Sequence, residues 1–391
     1  MRSARLPADL TPNPAARALA DLRAAGTTVL DLTASNPTAA GIPYPADLLA
    51  PLADPLALAY EPEPLGWWPA REAVAAEFGR RGLIVPPGRV ALTSSTSEAY
   101  ALLFKLLCDP GDRVLVPRPS YPLFEHLTAL ESVEAVPYDL DAHGGWRLDA
   151  GAVARGLDAR TRAVLLVSPN NPTGSCLHEG ELADLLAVTA GRGVALIGDE
   201  VFADYLLEPE PGVCSVLAQD EVLAFGLGGL SKSVGLPQVK LGWFAATGPA
   251  DEVAATLQAY EIVADTYLSV STPVQVAAAA LLDRGAGPRA AIQARIRANL
   301  SALDAALAGH PSIARGRVEG GWTAVLRVPA VLTEEALALD LMHHDHVVVH
   351  PGYFFDFPHE AFIVVSLLPP PEVFEPAIAR IVARAAYGGA S

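Results

Sequence analysis

Apolar positions along the chain fall into two textures. From about residue 90, short β-branched or apolar runs at 90–93, 113–117, 133–138, 163–168, 194–198, 222–226 and 241–246 have strand length. Between several of them lie helical patterns, such as 98–107, 179–190 and 251–260. Strand–helix alternation over this distance predicts an α/β fold: a mostly parallel central sheet covered by helices. From about residue 287 the texture changes. A long Ala/Arg/Leu helix over 288–308 precedes a strand at 324–328, a helix at 333–343 and strands at 347–350 and 362–366. That tail predicts a smaller α+β domain. Residues 1–45 are rich in Pro and Ala and predict one helix, 14–25, ended by Gly26. The expected organisation is a large domain over 45–285 and a small domain combining 1–44 with 286–391.

Length and composition narrow the class. The 391 residues allow about two domains at roughly 100–200 residues each. With 51% hydrophobic residues the chain is not of the disordered type, and a net charge of −17 opposes nucleic-acid binding. Cys108, Cys176 and Cys214 have no CxxC spacing, so neither a disulfide framework nor a zinc site is expected. They suit small core residues of a reducing compartment. Pro7, Asp9, Pro12 and Pro14 stand where a signal peptide would need an apolar core. The longest uncharged run, 266–282, is short for a membrane span and broken by Pro273 and Gln275. A cytoplasmic protein with no membrane association is expected.

Polar residues then gather at one kind of place. In open α/β sheets, ligands bind beyond the carboxyl ends of the strands. After the first strand come Ser94, Ser95, Thr96 and Ser97, opening a helix whose N–H groups suit an anion or simply an N-cap. After the second come Pro119, Ser120, Tyr121 and Pro122. After 163–168 comes Asn170-Asn171-Pro172-Thr173-Gly174, which is also a good turn sequence, although the chain has only five asparagines. Asp199 and Glu200 follow 194–198, a costly place for a carboxylate unless it meets a cation. Gly228-Gly229-Leu230-Ser231-Lys232 follows 222–226. One ligand would use all of these: a phosphorylated aromatic aldehyde with a basic ring nitrogen. Pyridoxal phosphate fits, with phosphate at the anion site, Tyr121 on the ring, Asn171 at the ring hydroxyl, Asp199 at the ring nitrogen and Lys232 at the aldehyde.

NNPTG, then DE, then SKxxGLP, with 28 residues from Asn171 to Asp199 and 33 from Asp199 to Lys232, resembles the fold-type-I pyridoxal-phosphate aminotransferases of class I/II. The likeness runs from Ser35-Asn36-Pro37 to 362–366. It implies Lys232 as Schiff-base lysine and proton shuttle, and Asp199 as partner of the ring nitrogen. It implies Asn171 as donor to the phenolic oxygen, Tyr121 as the stacking aromatic, and Ser95, Thr96 and Ser97 as the phosphate cup. Ser231 and Lys240 join the cofactor site, and Asn36, Asn171 and Tyr353 the substrate site. Tyr60 resembles the tyrosine that reaches a neighbouring subunit's phosphate, which implies a homodimer with shared active sites. The partners implied are an amino donor and a 2-oxo acid acceptor.

The chain departs from that pattern at several positions. Phe202 stands where the family usually has a tyrosine on the phenolic oxygen, and the sequence leaves the direction of Tyr205, a substitute, open. Lys240 replaces a phosphate-binding arginine and Gly229 a phosphate-binding serine. Val364 stands where many members carry the arginine that clamps the substrate carboxylate. Either another cation, such as Arg118, His350 or His359, takes that part, or the substrate presents no ordinary α-carboxylate. The missing arginine motivates a second reading, a lyase, decarboxylase or racemase; a third is a non-catalytic cofactor-binding sensor. His343, His344, His346 and His350 invite a metal reading, but no ligand spacing recurs and histidines suit a helix C-terminus, so no metal is expected. Tyr353 to Phe357, after Pro351-Gly352, suits a pocket wall or a core under a loop. Trp67, Trp68 and Trp322 are open in the same way and hint at an apolar or aromatic substrate group.

Overall fold

The computed structural model describes residues 3–268 and 270–387. After a helix, Pro14–Ala24, comes a short strand, β1 (Leu30–Asp31). Seven strands then form one sheet: β2 (Val90–Thr93), β3 (Arg113–Arg118), β4 (Glu134–Asp139), β5 (Thr161–Val167), β6 (Ala195–Asp199), β7 (Ala224–Gly229) and β8 (Gly242–Thr247). Their spatial order is β2-β8-β7-β6-β5-β3-β4. β8 runs antiparallel to both neighbours, and the other pairs are parallel. All residues of β2, β6 and β7 are buried, as expected of strands covered on both faces. Because β8 is reversed, the chain enters it at the edge where its neighbours end. Residues just before β8 therefore join the loops that follow β2, β5, β6 and β7.

The remaining strands are β9 (Ala314–Arg315), β10 (Thr323–Arg327), β11 (Val347–Val348), β12 (His350–Pro351) and β13 (Phe362–Ser366). Four form an antiparallel sheet in the order β12-β13-β10-β9. β1 pairs with β11 in parallel, and the Ser366 N–H donates to Leu32 O at 2.7 Å, so the N-terminal segment packs onto the C-terminal strands. The long helix, Ala286–Leu307, and the last helix, Pro371–Tyr387, share one apolar core with this sheet. Its start is tied to the loop after β5: Thr323 Oγ1 donates to Pro172 O at 2.8 Å, and Gly320 N–H to Gly174 O at 3.0 Å.

Two expected elements differ. The strand expected at 347–350 is split between two sheets, with Val347–Val348 on β1 and His350–Pro351 on β13. The helix expected at 333–343 ends at Asp340 and passes into a wider turn, Leu341–Asp345, closed by His346 at a left-handed φ of 53°. Helices Trp68–Arg80, Thr272–Arg284 and Pro371–Tyr387 have no counterpart in the apolar pattern. Each carries a proline at or next to its first position, a breaker as a sequence signal but at home where the N–H has no helical partner. Among the described residues no helix is long and apolar enough to cross a membrane.

Candidate active site

The ends of β2, β3, β5, β6 and β7 converge with the start of β8, and the small sheet closes the cleft from the side. Asp199, the last residue of β6, is 9% exposed. Burial pushes its carboxyl up to about 6, while a hydrogen bond from Val201 N–H, one from the Tyr100 hydroxyl and the charge of Lys232 pull the other way. Both bonds are long, 3.2 Å from Val201 and 3.3 Å from Tyr100, and leave the carboxylate room for a further donor. Its neighbour Glu200 differs: it pairs with Arg81 at 2.6 Å and accepts from the Ser215 hydroxyl at 2.5 Å and Val216 N–H at 3.0 Å.

Lys232 lies in the single turn Leu230–Ser233, directly after β7. Burial lowers its pKa, with Asp199 as the opposing charge. Its Nζ stands 5.6 Å from the Phe202 ring centre and 5.1 Å from that of Trp322, and has no hydrogen-bond or ion-pair partner among the described residues. A desolvated amine beside a buried carboxylate is the pattern of a reactive lysine.

The loop after β5 separates its two asparagines. Asn170 is turned inward and accepts from Thr173 N–H and hydroxyl at 3.2 and 3.0 Å, which fixes the turn. Gly174 closes it at φ +75°, where an added Cβ would stand 2.8 Å from Gly320 O. Asn171 is left with a buried Oδ1 that has no partner among the described residues. Beyond β3, Ser120 N–H donates to Phe355 O at 3.1 Å, joining the Tyr121 loop to the turn Gly352–Phe355. Tyr121 is 38% exposed, its phenol raised by burial and by Asp199.

Ser95 caps the helix Thr96–Leu107, its Oγ accepting from Glu98 N–H at 3.1 Å, and Glu98 in turn accepts from Ser94 N–H at 2.5 Å. Thr96 and Ser97 lie in the first turn, the positive end of the helix dipole. Gly229 is bounded by β8: a Cβ there would meet Leu241 O at 3.1 Å and the Gly242 Cα at 3.2 Å, tight contacts with backbone that disfavour any side chain. Lys240 is exposed, at φ 61°, just before β8 at the same edge as Ser231.

The open questions at the departures resolve geometrically. The Tyr205 hydroxyl donates to Lys232 O at 2.6 Å and Ser233 O at 3.2 Å, so it is committed to backbone and does not replace a hydroxyl at Phe202. Val364 is fully buried in the apolar cluster that includes Val325, Phe355 and Phe357. His350 is its direct partner across β12–β13 and shares its face. The imidazole stacks on Phe354 at 4.8 Å and edge-on to Phe355 at 5.5 Å. Burial lowers the pKa of His350, Asp31 opposing. Arg118 is paired with Asp139 at 2.7 Å, and His359 is exposed.

Three expected residues lie further out. Tyr60 is 66% exposed, on an extended segment. Asn36 is exposed and its Oδ1 accepts from Thr38 N–H and hydroxyl at 3.1 and 2.8 Å. Tyr353 is 43% exposed on the rim, and Phe354, not Tyr353, meets His350. Three residues with no sequence expectation at the cofactor site stand there or behind it. Tyr100 supports Asp199; its position four residues after Thr96, on the same helix face, was a usable signal. Trp322 covers Lys232. Glu334 receives Tyr353 N–H at 2.6 Å and Phe362 N–H at 2.8 Å, anchoring the turn that carries Phe354.

These residues fit pyridoxal phosphate: a desolvated amine for the aldehyde, a buried carboxylate for the ring nitrogen, a helix N-terminus for the phosphate, and an unpartnered Asn171 carboxamide. The fold and site define the class, a fold-type-I enzyme built around that cofactor. The chain belongs to the aminotransferase class I and II family, whose sequence profile matches residues 69–381. It is 25% identical over 390 residues to the alanine aminotransferase of Mycobacterium tuberculosis, covering 90% of this chain and 84% of that one. It is 28% identical over 254 residues to the glutamate–pyruvate aminotransferase AlaA of Escherichia coli, covering 64% and 62%. Among solved structures, alanine aminotransferase from Pyrococcus furiosus superposes with a TM-score of 0.87 at 23% identity, covering 98% and 99%. A double mutant of Thermus thermophilus aspartate aminotransferase gives 0.82 at 25% identity, covering 98% and 100%. The protein is a pyridoxal-phosphate-dependent aminotransferase.

Proposed function

We propose that the enzyme moves an amino group between an amino acid with a small or apolar side chain and a 2-oxo acid, with Lys232 and Asp199 as its working pair. One observation carries the assignment: the desolvated Lys232 amine, without a hydrogen-bond or ion-pair partner among the described residues, follows β7 where the adjacent β6 ends at the buried Asp199, whose charge acts on it. When bound, the cofactor supplies an aldehyde carbon and a ring that withdraws electrons from the substrate's Cα. Asp199 holds the ring nitrogen's proton, and that cation relieves the burial of the carboxylate. Lys232 Nζ, favoured in its neutral form by burial, removes the proton from the substrate Cα. Thr96, Ser97, Ser231 and Lys240 hold the phosphate, Tyr121 lies on the ring, and Asn171 donates to its oxygen.

With Val364 unable to bind a carboxylate and Arg118 committed to Asp139, His350 takes the substrate carboxylate, while Phe354 and Phe355 face its side chain. The relatives named for alanine and for glutamate and pyruvate support a small side chain. Asn36 and Tyr353 form the entrance. Exposed Leu56, Leu58, Tyr60 and Trp68, at 64%, 91%, 66% and 44%, form an apolar stretch that suits a homodimer interface, with Tyr60 reaching the partner's phosphate. The large body over 45–285 carries the cofactor, and the free cysteines suit the cytoplasm.

The test follows the visible band of the holoenzyme through a panel of amino acids. Loss of the band with each accepted amino acid, and its return on adding pyruvate or another 2-oxo acid, is the expected result. A band that changes without forming aminated cofactor would instead place the chain among the lyases or racemases. Lys232→Ala should slow the exchange by roughly 10²–10⁴-fold. An undiminished rate in that variant would sink the assignment of the base.

A further inference from the structure

Trp322 is a large residue in an unusual electrostatic position. It is 2% exposed and packs edge-on against Phe202 at 5.3 Å and Tyr205 at 5.2 Å, with the Lys232 Nζ 5.1 Å from its ring centre. Its indole Nε1 is buried and has no acceptor among the described residues. Buried donors are almost always satisfied, because leaving one unpaired forfeits its hydration without replacement. Phenylalanine would fill much of the same volume without that penalty, and the chain uses phenylalanine next door at Phe202.

The missing acceptor therefore belongs to whatever Lys232 binds. Phe202 brings no polar atom, and the Tyr205 hydroxyl is already donating to Lys232 O and Ser233 O. Asn171, whose Oδ1 is buried without a partner among the described residues and whose side-chain N–H groups bond to none of them, is tied to Trp322 through the adjoining residues, since Thr323 Oγ1 donates to Pro172 O at 2.8 Å. Pyridoxal phosphate carries its phenolic oxygen on the ring carbon next to the aldehyde, so a lysine that reaches the aldehyde brings that oxygen into its own neighbourhood. We infer that the Trp322 indole N–H donates to the cofactor's phenolic oxygen and, with Asn171, takes the part left vacant by the absence of a hydroxyl at Phe202 and by the commitment of the Tyr205 hydroxyl to backbone carbonyls. This rests on the assignment of Lys232 and Asp199 as the cofactor's partners. Trp322 is a residue that sets the protonation of the bound cofactor.

A donor on that oxygen stabilises its anionic form and so lowers the pH at which the bound cofactor loses its proton. Trp322→Phe holoenzyme should therefore show the pH-dependent change of its visible band moved upward by about one unit, a tenfold change in proton affinity. Its dissociation constant for pyridoxal phosphate, measured by equilibrium dialysis, should rise about tenfold. Phe202→Tyr in the Trp322→Phe background should move the transition back down. A second measurement needs no variant that must fold: adding pyridoxal phosphate to wild-type apoprotein should shift one indole N–H proton resonance downfield. An unmoved transition in folded Trp322→Phe protein, or five unmoved indole resonances in wild type, overturns the inference. So does weaker binding of a carboxylate substrate analogue with an unchanged transition, because the indole then faces the substrate. If wild type gave no visible band and borohydride failed to fix the cofactor on Lys232, the cofactor assignment itself would fail first.

Discussion

The two sides of the cleft are built on different principles. On the large-sheet side, charge is buried and the protein holds it in place: Glu200 has Arg81, Ser215 and Val216, and Asp199 has Val201 and Tyr100. On the small-sheet side the surroundings are apolar: Val364 and Phe355 share one cluster beside His350, Trp322 packs in another with Phe202 and Tyr205, and neither Trp322 Nε1 nor the His350 ring has a hydrogen-bond partner among the described residues. The difference teaches where each kind of recognition is stored. Strand ends and helix N-termini supply backbone donors that can stabilise a carboxylate before any ligand arrives. A sheet face offers side chains only, so its polar groups wait for the ligand.

Substitutions can break that contrast, the largest effects falling on the large-sheet side. Glu200→Gln removes one partner of a buried ion pair and leaves Arg81 uncompensated, so unfolding by urea should show a loss of roughly 3–5 kcal/mol. Asp199→Asn should act in the opposite sense on the apoprotein. The Asp199 carboxyl sits at about 6 in the fold and near its ordinary 3.8 when unfolded. Its contribution to stability is therefore present below about pH 4 and lost as the pH rises through about 6, up to ~3 kcal/mol in all. The asparagine variant should abolish that pH dependence in apoprotein unfolding between pH 4 and 8, while weakening pyridoxal phosphate by about a hundredfold. If both variants destabilised the apoprotein alike, Asp199 would be a structural acid like its neighbour.

Smaller effects are expected at His350 on the other wall and at Tyr100 behind Asp199. His350→Phe should raise the KM for the amino acid about tenfold and leave kcat nearly unchanged, the mark of a group that binds substrate in ground and transition state alike. The corresponding amine without a carboxylate should not distinguish the variant from wild type. Equal losses with both substrates would assign His350 to packing. Tyr100→Phe, the mildest change, removes a single long hydrogen bond. A decrease of ~1 kcal/mol in cofactor binding, read by dialysis, would be its full effect.

Legibility in the sequence followed locality. The seven strands of the large sheet stand near their apolar runs, and Asp199, Asn171 and Lys232 stand at strand ends because each motif is contiguous with its strand. Tyr100 escaped notice because its partner is 99 residues away, and a tyrosine in a buried helix face looks like core. Trp322 was one of three ambiguous tryptophans for the same reason. The split of 347–350 was illegible because one apolar run serves two sheets. Tyr205 could not be decided from spacing, since its hydroxyl's acceptors are the carbonyls of residues 232 and 233.

From the sequence alone came the α/β architecture and the cofactor, because periodicity and motif order act within a few residues of one another. Which side chains remained unpartnered was decided only by tertiary structure. Asn170 and Asn171 are adjacent, as are Asp199 and Glu200, yet Asn170 is held by Thr173 and Glu200 by Arg81, Ser215 and Val216, while Asn171 Oδ1 has no partner among the described residues and Asp199 keeps two long hydrogen bonds. Hydrogen-bond satisfaction depends on where chain segments far apart in sequence come together, as where Trp322 meets Lys232 with its indole N–H unpartnered among the described residues.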